Sequence, residues 1–185
     1  MRQFTRTGIT LALIAAVAAT ALAMINAVTA PKIAAYELQV IQQALTEVSG
    51  GYTVGSSTTQ TQDDAVIEQY TLLDETENVA GYILQIIGSG YGGEMTIMAS
   101  FTVDGEVIDA RLLANAETPG LGKKAEVPSY MEKFIGTGAS TPVPVKKDML
   151  DKSDADSISG STITFSGVAK SIALGSSYVK LLGGE

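Results

Sequence analysis

A heptapeptide near the C-terminus combines a carboxylate with several hydroxyls directly before a helical pattern. Residues 156–162 read DSISGST, and apolar residues at helical spacing follow them. Thr162 would then stand in the first turn of a helix, where free backbone N–H groups and the helix dipole favour a phosphate. The same residues are typical of ordinary N-cap chemistry, with Gly160 forming a turn. Taken alone, the heptapeptide leaves both interpretations open.

Two glycine-rich segments lie upstream of the heptapeptide. Residues 90–93 read GYGG, and residues 117–122 read ETPGLG. The proline fixes its own φ and favours an extended residue before it, while the two glycines let the backbone approach a flat ligand closely. Leu121 offers an apolar contact, Glu117 could orient the loop, and Tyr91 could stack on a ring. The alternatives are a structural turn, a solvated carboxylate and a packing tyrosine.

The chain of 185 residues contains neither Cys nor His. Disulfides, cysteine-held metals and clusters, His-ligated haem and Ser-His-Asp or Cys-His centres are therefore excluded. Any redox role needs a bound cofactor. The net charge of −8 argues against a nucleic-acid partner. Lys123 and Lys124, directly after the second glycine-rich segment, are interpreted as a solvated basic pair.

The N-terminal segment predicts a membrane anchor. Residues 8–30 carry no charge and would form a helix about 34 Å long, enough to cross a hydrocarbon core of roughly 30 Å. Arg2 and Arg6 precede this segment and all 20 acidic residues follow it, which predicts a cytoplasmic N-terminus. A cleaved signal peptide is the alternative, with small residues at Ala21 and Ala23. We favour retention because the apolar stretch continues past them, and both interpretations place the main domain outside the cytoplasm.

The hydropathy pattern predicts three segments along the chain. Residues 1–30 would form a cytoplasmic tip and a transmembrane helix, and residues 31–49 an amphipathic connecting helix. Residues 50–185 would form the extracytoplasmic domain. Within that domain, residues 55–64 read GSSTTQTQDD and are interpreted as a surface loop.

The rest of the exported part predicts an α+β domain with a mainly antiparallel sheet flanked by helices. Asp104-Gly105 is a strong hairpin signal between two strand-like runs. The predicted strands are 65–73, 79–88, 94–103 and 106–113. A short helix over 127–135, with a proline in its first turn, and a closing helix over 165–182 complete the prediction.

In combination, these motifs resemble the FMN-binding subunit shared by two ion-motive respiratory complexes. GYGG, an Asp-Gly hairpin, ETPGLG and DxxSGST occur in that order behind one N-terminal helix. The resemblance covers the whole chain and points to the G subunit of the Rnf ion-translocating electron transport complex, or to the C subunit of the Na⁺-pumping NADH:quinone oxidoreductase. The short chain looks more like the Rnf protein, because the other family usually carries extra insertions.

The resemblance implies that FMN is attached covalently through its phosphate to Thr162. A flavin transferase makes this bond in the family. The residues implied to bind the cofactor are Thr162 with Asp156, Ser159, Gly160, Ser161, Glu117, Thr118, Gly120, Leu121, Gly122 and Tyr91. No catalytic residue and no metal site are implied.

The implied function is an electron relay within a membrane-bound, ion-translocating ferredoxin:NAD⁺ oxidoreductase, of which this chain would be one component without a complete active site. The implied partners are the other membrane subunits of an Rnf-type complex, including a second membrane flavin subunit, and the flavin transferase during maturation. The implied location is the cell (inner) membrane, with a single span. Alternatives are the quinone-reducing relative, a membrane-anchored flavoprotein of another system, and a cofactor-free binding module of the envelope.

Two positions depart from the family pattern. Asn115 stands two residues before Glu117, where the family commonly has His. Asparagine can form hydrogen bonds but does not titrate near neutral pH. Ser161 replaces the usual Ala and adds a second hydroxyl directly beside Thr162.

Overall fold

One long helix precedes a five-stranded sheet and several short and long helices. The computed structural model describes residues 2–59, 61–119 and 122–183, without the side chains of residues 2 and 3. The helices are α1 (Arg2–Val48), α2 (Pro128–Met131), α3 (Lys152–Ser157) and α4 (Thr162–Leu182). The strands are β1 (Thr53–Thr58), β2 (Val66–Leu73), β3 (Val79–Ser89), β4 (Glu94–Thr102) and β5 (Val107–Asn115). The chain divides into two compact units, residues 1–41 and 42–185.

The first unit consists of most of α1. Within the described residues, α1 is the one helix long and apolar enough to cross a membrane. Its large apolar side chains from Phe4 to Leu38 are exposed, as a bilayer-facing helix requires. By length and composition this helix is consistent with a membrane anchor.

All neighbouring strands of the sheet are antiparallel, in the order β1-β2-β3-β4-β5, which confirms the predicted sheet. Each strand from β2 to β5 begins and ends within a few residues of its prediction. The turn between β4 and β5 uses the predicted Asp-Gly pair: Gly105 has a φ of +79°, and its N–H donates to the Thr102 carbonyl at 2.8 Å. A left-handed φ is easily adopted by glycine.

The prediction of a loop over 55–64 is wrong at its start, because residues 55–58 belong to β1. This strand forms one edge of the sheet and pairs only with β2, with a register shift between Val54 and Ser57. Serine and threonine occupy both faces of the strand, so the hydropathy pattern carries no period of two. Backbone hydrogen bonds to β2, and not a pattern of buried side chains, hold this strand in the sheet.

The main core lies between one face of the sheet and α4. Leu84 and Ile86 of β3 and Phe101 of β4 are fully buried there, in one cluster with Phe165 and Ile172 of α4. Burying side chains of this size stabilises the fold by about 1.5–3 kcal/mol each. The first turn of α4 is therefore fixed to the sheet immediately after Thr162.

The opposite face of the sheet is covered at the end of α1. Met98 is fully buried on this face, and Arg111 is its partner in the β4–β5 register. Arg111 forms an ion pair with Glu47, while Val48 is 1% exposed. The last turn of α1 therefore packs on the sheet.

The segment 127–135 is helical, as predicted, but only α2 is an α-helix, and it continues as a 3₁₀ turn over Glu132–Phe134. The Phe134 ring stacks on Phe165 with centroids 5.5 Å apart, and Tyr130 meets Phe165 edge to face at 6.4 Å. These ring contacts hold the segment against α4. The short α3 helix was not predicted, because its sequence, KSDADS, has no apolar period.

Candidate functional site

Thr162 is the first residue of α4, and its side chain is exposed. The chain reaches it through a tight connection in which Ile158 is fully buried, Ser159 and Gly160 are exposed, and Gly160 has a φ of +84°. The buried isoleucine anchors this connection, while the glycine makes the turn into the helix.

The neighbouring hydroxyls of Ser161 and Thr162 have opposite environments. Ser161 is 4% exposed, and its Oγ donates to the Ile158 carbonyl at 3.0 Å. Ser161 occupies the N-cap position, yet its side chain does not cap the helix. The interpretation of this motif as an ordinary side-chain cap is therefore not supported at Ser161.

The first turn of α4 offers backbone donors beside Thr162. The first bond of the helix runs from the Phe165 N–H to the Ser161 carbonyl at 2.9 Å. The N–H groups of residues 162–164 precede it and have no acceptor within the helix. Together with the helix dipole, they favour an anion at this end.

Glu117 is buried, with 4% of its surface exposed, so its interpretation as a solvated carboxylate is wrong. Its Oε2 accepts the Thr164 hydroxyl at 2.9 Å, and its Oε1 accepts the Gly92 N–H at 3.1 Å. The carboxylate therefore joins the loop after β5, the GYGG turn and the first turn of α4.

A cavity of about 350 Å³ opens between these three segments. Its volume lies within the range of roughly 300–1,000 Å³ that is typical of small-molecule sites. The lining residues are Tyr91, Glu117, Thr118, Gly122, Gly160, Ser161, Thr162, Ile163 and Thr164. The structure thus brings together residues from all three sequence motifs around the hydroxyl of Thr162.

Two described residues of the predicted site are not among those that line the cavity. Asp156 and Ser159 are exposed, Asp156 within α3 and Ser159 in the turn after it. Gly120 and Leu121 lie outside the described residues. Tyr91 does line the cavity and is 73% exposed, so one face of its ring is free for a ligand.

Ile163 and Thr164 line the cavity but were not predicted. Ile163 is 59% exposed at the cavity and Thr164 is 1% exposed. In the sequence, an apolar residue directly after Thr162 is only a weak indication that Ile163 contacts a ligand. Nothing in the sequence distinguishes a threonine that donates to a buried carboxylate from one that faces the core.

Thr162 also borders a second groove, of about 590 Å³, on the side of β3. Small residues and Lys170 line much of it, and Thr162 and Ile163 line both this groove and the first cavity. A group attached to Thr162 therefore has space in either one.

A polar chain orients the loop after β5. The Asn115 amide oxygen accepts the Glu117 N–H at 3.0 Å, and its amide nitrogen donates to Glu126 Oε1 at 2.9 Å. The Asn115 hydrogen bond, with Lys123 as the next cause, lowers the pKa of Glu126. Asparagine therefore has a structural role at the position where the family commonly has His.

The two lysines after the loop were interpreted as a solvated basic pair, and the structure adds a partner for each of them: Lys123 is exposed and Lys124 is half-buried. Lys123 pairs with Glu126 at 3.2 Å. Lys124 Nζ donates to the Ser159 carbonyl at 3.2 Å, which ties the 3₁₀ segment Gly122–Glu126 to the turn before Thr162.

Tyr130 places a buried hydroxyl near Ser161 and Glu117. Burial raises the pKa of Tyr130 to about 12, the Glu117 carboxylate adds to the rise, and the Ser161 hydroxyl opposes it. Ser161 is close enough to lower the pKa of this phenol. Among the described residues, however, the Tyr130 hydroxyl has no hydrogen-bond partner. The Ser161 hydroxyl is already donated to the Ile158 carbonyl.

The groups around the cavity suit FMN and do not suit a metal ion. Within the described ranges, no cluster of three or more acidic, His or Cys side chains is present. An exposed hydroxyl, free helix N–H groups and a cavity with mixed polar and apolar walls match a phosphate joined to a planar ring.

Comparisons with known proteins agree with this fit. Residues 90–174 match the FMN-binding domain family, and residues 1–48 match the RnfG N-terminal region. The fold and the site therefore define an FMN-binding domain behind an N-terminal helix of the RnfG type. The G subunit of an ion-translocating oxidoreductase complex from Cereibacter sphaeroides is 30% identical over 166 residues, covering 85% of this chain and 75% of the relative. The chain belongs to this family, the G subunits of ion-translocating oxidoreductase complexes.

Other relatives carry more specific names. The G subunit of the Na⁺-translocating ferredoxin:NAD⁺ oxidoreductase complex of Acetobacterium woodii is 29% identical, covering 89% of this chain and 86% of the relative. The G subunit of the proton-translocating ferredoxin:NAD⁺ oxidoreductase complex of Clostridium ljungdahlii is 33% identical over 91 residues, 49% of each chain. The crystal structure of Shewanella oneidensis NqrC aligns with a TM-score of 0.45 and 17% identity over 64% of this chain and 62% of NqrC, a similarity too low to support a conclusion.

Proposed function

We propose that the chain carries FMN as a phosphoester on Thr162 and relays electrons within an Rnf-type ferredoxin:NAD⁺ oxidoreductase complex. The observation that carries this proposal is the contrast between two adjacent hydroxyls. Thr162 is exposed at the mouth of the cavity, whereas Ser161 is buried and donates to the Ile158 carbonyl. Of the two, only Thr162 is accessible both to a modifying enzyme and to the cavity.

The residues of the chain have distinct roles in this proposal. Thr162 Oγ1 holds the phosphate, and the N–H groups at the start of α4 neutralise its charge. Glu117 and Thr164 fix the back of the cavity through their hydrogen bond, and Ile163 and Tyr91 provide apolar surface. When bound, FMN supplies one-electron and two-electron transfer.

The exposed residues before Thr162 suit recognition by a flavin transferase. Asp156, Ser159 and Thr162 are all exposed. The Lys124 side chain holds the turn that connects α3 to α4 through its hydrogen bond to the Ser159 carbonyl. A modifying enzyme could therefore read the motif in the folded domain. Tethering keeps the cofactor at the site in a compartment without a free FMN supply.

The relatives' names, which are those of subunits of oxidoreductase complexes, support the assignment to a complex with other subunits. We propose that these include a second membrane flavin subunit. One relative is named for Na⁺ and another for protons, so the coupled ion is not assigned to this chain. No ionisable residue lies within residues 8–30, and we place the ion path in other subunits. As part of a redox-driven translocase, this chain carries electrons without a complete active site.

The charge pattern supports a single span with the N-terminus in the cytoplasm. Arg2 and Arg6 precede the apolar part of α1, and all 20 acidic residues follow it. By the positive-inside rule, the FMN-binding domain lies outside the cytoplasm. We propose domain limits of 1–30 for the tip and span, 31–49 for the connecting helix and 50–185 for the FMN-binding domain.

The test is co-expression of the full chain with a flavin transferase, followed by acid denaturation and peptide mass spectrometry. We expect yellow colour that stays with the polypeptide and one FMN-phosphoryl group on the peptide that contains Thr162. Thr162→Ala should abolish the adduct, and Ser161→Ala is the matched control that should retain it. An adduct that persists in T162A, or is lost only in S161A, would contradict the assignment. A colourless wild-type chain would favour a cofactor-free envelope protein.

A further inference from the structure

One carboxylate is surrounded by glycines from both glycine-rich motifs. A Cβ built on Gly90 would collide with Oε1 of Glu117, and a Cβ built on Gly122 would collide with its Oε2. A side chain at either position would therefore displace the Glu117 carboxylate from the place that it occupies. Gly90 of the first motif and Gly122 of the second thus form part of a close shell around this one side chain.

Glu117 also connects the shell to the helix that bears Thr162. Its two oxygens accept from the Gly92 N–H and the Thr164 hydroxyl, and its own N–H donates to Asn115. The GYGG turn, the last residue of β5 and the start of α4 thus all have a hydrogen bond to the same residue. Through these three hydrogen bonds, Glu117 fixes the positions of the segments that form the site.

The charge of Glu117 has no paired cation among the described residues. The ion pairs there join Arg111 to Glu47, Lys123 to Glu126 and Lys133 to Asp154. The carboxylate is instead stabilised by two neutral donors and by its position at the start of α4. Its negative field therefore reaches the cavity with little screening, since the carboxylate itself is shielded from water.

We infer that Glu117 is a positioning residue that also sets the reduction potential of the flavin. It holds the GYGG turn and the first turn of α4 together, and its fixed negative charge makes the FMN on Thr162 harder to reduce. Reduction adds negative charge to the ring system, which a nearby carboxylate disfavours. This inference rests on the proposed attachment of FMN.

The first experiment separates the charge of Glu117 from its shape. Glu117→Gln keeps an acceptor for the Gly92 N–H and an amide that can bond to Thr164, but it removes the charge. Glu94→Gln is the matched control, because Glu94 is exposed beside the same turn. Intact mass is measured first, and the flavin midpoint potential by spectroelectrochemical titration second. We expect a full adduct in both variants, a higher potential in E117Q and an unchanged potential in E94Q.

The second experiment tests the positioning role without the flavin. Full-length chain made without flavin transferase is studied by amide hydrogen exchange. Exchange of the Gly92 amide should accelerate more than about tenfold in Glu117→Ala and stay close to the wild-type rate in E117Q, because only the alanine removes the acceptor. Equal Gly92 exchange in E117A and wild type would overturn the positioning role.

A second pair of variants leaves Glu117 in place, in case E117Q does not fold. Thr164→Ser keeps the donor and should retain the wild-type potential. Thr164→Val removes the hydroxyl donor. The negative charge of Glu117 is then less stabilised by hydrogen bonds, and the reduction potential of the flavin should fall. Flavin present in wild type and E117Q at the same potential would overturn the electrostatic role, as would equal potentials in T164S and T164V. Absence of flavin from the wild-type chain would instead contradict the proposed attachment at Thr162.

Discussion

Thr164 donates its hydroxyl to Oε2 of Glu117 across 2.9 Å, and the two residues lie 47 positions apart in the sequence. Both side chains are buried, at 1% and 4% exposure. The bond joins the helix that carries Thr162 to the loop after β5, so the proposed attachment point and one wall of the cavity are held to each other.

Glu117→Ala should lower the free energy of unfolding by about 2–4 kcal/mol. The substitution leaves the Thr164 hydroxyl and the Gly92 N–H without their acceptor and opens a void between the loops. Chemical unfolding of the full chain in detergent measures the loss. Glu94→Ala removes an exposed carboxylate nearby and should change stability by no more than about 0.5 kcal/mol. Similar values for the two variants would mean that Glu117 is not a structural centre of the site.

Tyr130→Phe should raise stability by about 1 kcal/mol, because it removes a buried hydroxyl that lacks a hydrogen bond. Tyr178→Phe is the matched control. The Tyr178 hydroxyl donates to Gln69 at 2.7 Å and accepts from the Gln62 N–H at 3.2 Å, so its loss should destabilise by about 1 kcal/mol. Thermal unfolding of both variants at neutral pH gives the comparison, and a destabilised Y130F would show that the Tyr130 hydroxyl is satisfied after all.

The same phenol predicts an alkaline effect. Burial raises the folded-state pKa of Tyr130 to about 12 from the ordinary value of 10.0. The unfolded chain therefore loses this proton first, and stability falls as pH rises from about 10 towards 12. The stability difference between Y130F and wild type should be constant below about pH 10 and widen by about 1.4 kcal/mol per pH unit above it. A difference that does not change with pH would show that the phenol is not shifted.

Much of the fold could be predicted from the sequence because apolar periodicity marks β2 to β5 and α4. The edge strand β1 could not, since its serines and threonines carry no period. In the site, the motifs identified Thr162 and Glu117 as candidates. They could not show that Glu117 is buried, because that depends on Thr164 and Gly92, which only the packing of α4 on the sheet brings near it. The bond from Lys124 to the Ser159 carbonyl was missed because the two residues lie 35 positions apart in the sequence.

Glu126 predicts an effect of acid on the loop after β5. The hydrogen bond from Asn115, followed by Lys123, lowers the pKa of Glu126 below its ordinary value. Its contribution to stability is therefore present above that ordinary value and is lost as pH falls through the lowered folded-state pKa. Wild type should be slightly more stable than Glu126→Gln at neutral pH, and the two should converge in strong acid. Urea unfolding across this pH range gives the comparison, and a gap that grows on acidification would contradict the lowered pKa.

The most direct test of covalent FMN on this chain is the intact mass of the protein purified from its own host. We expect the sequence mass plus one FMN-phosphoryl group, with the modification mapped to Thr162 and with Met1 or Arg2 near the observed N-terminus if the anchor is retained. An unmodified mass, from cells that make a flavin transferase, would contradict the electron-relay function proposed for this protein.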